Sequence, residues 1–148
     1  MSCDAVASVA FLWLASTSPI HGPTTYAMAP AAAVSYEPMF VDIVKRASRL
    51  KSQVAAFQGN DKPISDIFKT QVSELSALDM QGHLLLAKRG TDGDLKCILR
   101  GISQDLPLKL TAVTKAPDRK TRDVALKEMS YLLRDNVEVI TAPPAPPA

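Results

Sequence analysis

Apolar side chains return every three or four positions at Phe40, Ile43, Val44, Ala47, Leu50, Val54 and Phe57, with Asp42, Lys45, Arg46, Arg49 and Gln53 between them. That spacing makes a helix with one buried face, and such a face must be covered by further helices or a sheet. Pro38 suits the first turn, where a missing N–H costs nothing, and Glu37 complements the positive helix end. Gly59-Asn60 reads as the stop.

A second stripe follows at Ile64, Ile67, Phe68, Val72, Leu75 and Leu78, with Asp61 as its expected cap and Pro63 in its first turn. Whether this helix crosses Gly82 is open: Leu84–Leu86 either continue it to Lys88 or form a strand turning at Thr91-Asp92-Gly93-Asp94. Helix is preferred, because Thr91 and Asp94 resemble a capping pair and Leu95, Ile98, Leu99, Ile102 and Leu106 repeat at three and four. Leu106 to Val113 fits both templates and is read as a short helix capped by Asp105. The last helix is capped by Asp118, carries Val124, Ala125, Met129, Leu132 and Leu133 on its apolar face, and ends near Asn136. Val137–Ile140 is read as a short extended segment.

These segments predict an all-α protein, a small antiparallel bundle of four to five helices with disordered N- and C-terminal tails. The alternative is an α+β fold with a small hairpin or meander at about 83–114. The expected organisation is a tail over 1–34, a single helical domain over 35–140 and a Pro/Ala-rich tail over 141–148. A hydrophobic fraction of 47% is enough to build such a core.

Residues Ala5–Ala15 are the most apolar run, short of the roughly 20 residues a spanning helix needs. They suit the apolar part of an export signal, with Ala27-Met28-Ala29 as a small-x-small site downstream. However, Asp4 sits where positive charge belongs, and no Lys or Arg precedes the run. Met28 equally resembles a normal start, which would make residues 1–27 an upstream extension. The expected location is cytoplasmic, or exported if residues 1–29 act as a signal, and no membrane span is expected.

The two cysteines, Cys3 and Cys97, have no metal-ligand spacing, and two histidines make no zinc set. No cofactor or metal is therefore expected. A Cys3–Cys97 disulfide would tether a tail to the core, but small disulfide-stabilised domains normally carry more bridges, so Cys97 reads as a small buried hydrophobe. The pairs Asp92/Asp94 and Asp118/Asp123 sit at turns and helix starts, where Asp serves the backbone. Neither a dinucleotide-binding glycine pattern nor a Walker pattern occurs. No catalytic residue is assigned.

A net charge of +2 gives no global pull toward nucleic acid. The candidate nucleic-acid contacts are local: Lys45, Arg46, Arg49 and Lys51 on the first helix, without interleaved aromatic residues for base stacking. His83 is a candidate phospho-acceptor, since histidine phosphotransfer domains carry an exposed His on a four-helix bundle. The residues after it, Leu84-Leu85-Leu86-Ala87-Lys88, do not reproduce the His-x-Leu-Lys-Gly surroundings of that family.

The leading expectation is a non-enzymatic protein that acts by protein–protein interaction or as a regulatory accessory factor. Its partner would be another protein or a second copy of the chain. The reason is that the first helix and Leu95–Ile102 carry more apolar surface than a bundle this small would hide. A nucleic-acid-binding protein using the basic face of the first helix ranks second, and a histidine phosphotransfer-like module at His83 third.

Overall fold

A computed structural model of the chain describes residues 31–90 and 93–142. The expectations for residues 1–30, for Thr91 and Asp92 and for the tail from 143 onward lie outside the described residues. A short 3-10 helix, Ala31–Tyr36, leads into α1 (Pro38–Phe57), followed by α2 (Asp66–Lys88), α3 (Asp94–Thr114) and α4 (Arg119–Thr141). There is no strand among the described residues.

The four helices form a square in which α1 and α3 each pack beside α2 and α4, so α1/α3 and α2/α4 are the diagonals. Neighbours run antiparallel. Glu37, just before α1, is bonded to Arg89, just after α2. Along the α2/α3 seam, Ser76 reaches Ser103 and His83 reaches Lys96. The 3-10 helix packs on α1 and α4 and buries Val34.

The core is assembled from the expected stripes. Phe40, Ile43, Phe68, Leu75, Leu99 and Leu133 are among the side chains removed from water, each contributing about 1.5–3 kcal/mol of transfer free energy. Phe57 and Phe68 close one end of the bundle edge to face, with ring centroids 5.3 Å apart. At Gly82 α2 lies against side chains of α1 and α3: a Cβ there would lie 3.3 Å from Leu99 Cδ1 and 3.4 Å from Ile43 Cδ1 and Phe40 Cε1. Glycine at that point lets α2 sit close to α1 and α3.

Several expectations need correction. The hairpin alternative at 83–114 is overturned, because α2 runs on to Lys88 and α3 fills Asp94–Thr114. Leu106–Val113 is no separate helix: α3 passes through Pro107, and the Ser103 carbonyl that loses its helical donor accepts Ser76 Oγ–H instead. The cap of α2 is Ser65, whose hydroxyl accepts from Phe68 N, so Asp61 and Pro63 lie in the preceding loop. Asp118 caps α4 as expected, accepting from Thr121 N. However, α4 does not stop near Asn136. It continues through Val137–Ile140 to Thr141, because Ile140 completes the buried stripe one turn further on.

Candidate functional site

The apolar surface that the bundle leaves exposed is not where the stripes placed it. Every apolar stripe residue of α1 is buried or packed against the core, and Leu95 and Ile98 are half-buried against it. Ile67 and Val124 belong to expected stripes yet are 72% and 54% exposed. Val124 lies on the outward side of α4, where Lys120, Val124, Lys127, Tyr131 and Arg134 recur at four, three, four and three. Their spacing puts them on one helix face, opposite the buried Leu126, Met129 and Leu133.

Tyr131 is the centre of that face. It is 46% exposed, with Lys127 Nζ 5.8 Å and Arg134 Cζ 5.1 Å from its ring centroid. Cations over a ring at this range contribute about 0.5–1 kcal/mol at an exposed site and hold the ring in place. Arg134 is itself steered by Asp135 and, at 3.6 Å, by Glu138; the Asp135 bond is the main cause of its raised pKa. Lys120 and Lys127 form no ion pair among the described residues. The result is an aromatic and aliphatic surface beside two lysines, with Asp118 and Asp123 lining the same cleft as Lys120, Val124 and Lys127. Tyr131 was missed in the sequence because its cations lie four positions before and three after it, which only a helix brings together.

Of the four basic residues singled out on α1, three line one cleft between α1 and α2 and one does not. Arg46 is turned toward α2 and spent there, with Nε 2.9 Å from Asp42 and Nη1 2.8 Å from Glu74; those two bonds raise its pKa. Lys45 and Arg49 line the same shallow cleft between α1 and α2, with Asp42 and Glu74 on its walls. Lys51 is exposed and does not line it. Of the other basic residues near turns, Arg89 grips Glu37 and Arg122 reaches the Lys62 carbonyl.

His83 is half-buried, and its Nδ1 lies 2.7 Å from the Lys96 carbonyl of α3. A carbonyl only accepts, so Nδ1 carries the proton and the ring is tied to the α2/α3 seam. Cys97 is half-buried and disulfide-bonded; Cys3, the chain's other cysteine, lies outside the described residues. Asp118 and Asp123 serve the backbone, the first as cap and the second by accepting from Gly59 N. Among the described residues no group of His, Cys, Asp and Glu is arranged to hold a metal ion, and no helix is long and apolar enough to cross a membrane.

One pair escaped the sequence reading altogether. Asp79 on α2 and Asn136 on α4 are both fully buried, and Asn136 Nδ2 donates to Asp79 Oδ2 at 2.8 Å. Burial pushes the Asp79 carboxyl up to about 8, against a smaller downward pull from the Asn136 bond. No family model, curated protein or solved structure matches this chain.

Proposed function

We propose that this protein works without catalysis of its own, as a helical docking module that engages a protein partner through the outer face of α4. The observation that supports this reading is the exposed Val124–Tyr131 pair, flanked by Lys127 and by the ring-stacked Arg134. Interface centres favour a large aromatic side chain that is already held in one orientation, because little entropy is lost when it is covered. Lys120 and Lys127, which form no ion pair among the described residues, favour a partner whose apolar contact residues are bordered by carboxylates.

The test is a nuclease-treated pull-down with the tagged chain, comparing wild type with Val124→Ser/Tyr131→Ser. Both positions are exposed, so helicity and melting temperature are expected to stay close to wild type. A partner retained by wild type and lost by the variant supports the reading. Equal retention by both, or a catch that vanishes with nuclease, rejects it.

A further inference from the structure

Asp79 and Asn136 meet across a diagonal of the bundle, joining two helices whose backbones do not touch. Their single bond leaves two buried oxygens, Asp79 Oδ1 and Asn136 Oδ1, with no hydrogen-bond partner. A carboxylate oxygen and a carboxamide oxygen are both acceptors and cannot satisfy each other. A carboxylic acid solves the problem. Its O–H donates while its second oxygen accepts, which complements the acceptor and donor of a carboxamide.

Ser103 is the one other buried polar residue among the described residues, and Ser76, one turn before Asp79, is bonded to its carbonyl. One turn along α2, Gly82 is packed by Phe40 and Ile43 of α1 and Leu99 of α3. On α4, Leu133 and Ile140 flank Asn136, and Val34 is the buried residue of the 3-10 helix. The nearby titratable groups are engaged elsewhere. His83 of α2 is bonded to the Lys96 carbonyl, Asp135 of α4 to Arg134, and Glu37 and Asp42 of the α1 side to Arg89 and Arg46. Lys96 and Arg100 of α3 are partly exposed. No charged group figures among the causes that displace the Asp79 carboxyl; burial is the largest of them.

We propose that Asp79 is protonated in the folded bundle and donates from Oδ1 to Asn136 Oδ1, making the two side chains a proton-dependent latch between α2 and α4. Loss of that proton leaves two acceptors without a donor and a charge in an apolar core, and the latch opens. The unfolded carboxyl titrates near its ordinary 3.8 and the folded one near 8. Between those values the folded chain holds the extra proton. The latch's contribution is therefore complete below about pH 4, falls as pH rises through this window, and is level above about 8.

The test combines a carbon-13 titration of the Asp79 and Asn136 side-chain carbonyls with urea unfolding of wild type and Asp79→Asn, each in the full chain. Asp79→Asn keeps the size of the side chain, with a donor and an acceptor but no titrating proton. The Asp79 carbon is expected to titrate near pH 8, with the Asn136 carbonyl shifting at the same midpoint. The ratio of unfolding constants, wild type over variant, is expected to climb about tenfold per pH unit until close to that midpoint and then level off. An Asp79 midpoint near 4, an Asn136 carbonyl that does not respond, or a flat ratio each overturns the latch. If the variant fails to fold, the two carbon titrations in wild type decide alone.

Discussion

Ser76 on α2 donates its hydroxyl to the carbonyl of Ser103 on α3 at 2.7 Å, and Ser103 is the residue whose carbonyl Pro107 leaves without its helical donor. A proline inside a helix commonly costs about 3 kcal/mol, part of it from the orphaned carbonyl. Here the neighbouring helix supplies the missing donor. Ser76→Ala is expected to cost about 1–3 kcal/mol, the penalty for a buried unsatisfied acceptor. In a Pro107→Ala background, where the N–H of residue 107 returns, the same change is expected to cost under about 1 kcal/mol. Chemical denaturation of the four proteins checks this. Equal costs in both backgrounds would mean that Ser76 does not relieve the break.

Gly82 faces the ends of the Leu99, Ile43 and Phe40 side chains. An added methyl would meet Leu99 Cδ1 at 3.3 Å, a contact that a small side-chain shift relieves, while replacing a mid-helix glycine gains up to about 1 kcal/mol of helix propensity. Gly82→Ala is therefore expected to stay within about 1 kcal/mol of wild type. Gly82→Leu has no such room and is expected to cost at least about 2 kcal/mol through overpacking against Phe40, Ile43 and Leu99. A Gly82→Leu protein that melts with wild type would show that this seam is loose.

On the acid side Lys69 holds the Asp66 carboxyl below its usual range, and two further carboxylates share the response. Arg89 holds Glu37 through both oxygens, at 2.7 and 2.8 Å, and that bond keeps the Glu37 carboxyl below its usual range. The bonds from Thr121 N and Oγ1 do the same for Asp118 at the start of α4. Depressed folded values mean that both contributions are present at neutral pH and disappear as pH falls through the carboxylate range. Asp118→Asn, which can still cap, and Arg89→Gln are each expected to flatten the loss of stability between about pH 5 and about pH 2. Melting curves across that range check it; slopes identical to wild type would place acid sensitivity elsewhere.

Much of this architecture was legible because each helix carries its apolar face in its own sequence. Phe40 to Val54, Phe68 to Leu75 and Ala125 to Leu133 needed only their spacing. Readings failed where a residue's role is decided by a partner on another helix. Leu106–Val113 read as a separate helix capped by Asp105, whereas α3 runs through Pro107 with the relief supplied by Ser76 of α2. Asn136 looked like a terminator, the usual role of an Asn after an apolar run, but its side chain is spent on Asp79, 57 positions away. A clue was present: Asp79 falls where the next stripe member after Val72 and Leu75 belongs, and Asn136 follows Met129 and Leu133 in the same way. A polar residue on two buried stripes points to a buried pair, although it does not say which residues pair. The α4 face was hidden for the opposite reason, since Val124 had been assigned to the core.

The basic residues of α1 divide into a brace and a free surface, and this changes what a charge-reversal experiment means. Arg46 joins Asp42 on its own helix to Glu74 on α2, whereas Lys45 and Arg49 are exposed. Reversing all three would break the brace and add three carboxylates to Asp42 and Glu74 at one seam, so lost nucleic-acid binding could not be separated from damage to the bundle. Arg46→Glu alone is expected to destabilise by about 1–2 kcal/mol at low ionic strength, with the deficit shrinking as salt screens the new repulsion. Lys45→Glu/Arg49→Glu is expected to unfold within about 0.5 kcal/mol of wild type. Urea titrations at low and high salt distinguish the two, and only the second variant is a clean probe of binding by this helix. If Arg46→Glu proves as stable as wild type at low salt, the ion pairs to Asp42 and Glu74 contribute nothing to holding α1 against α2.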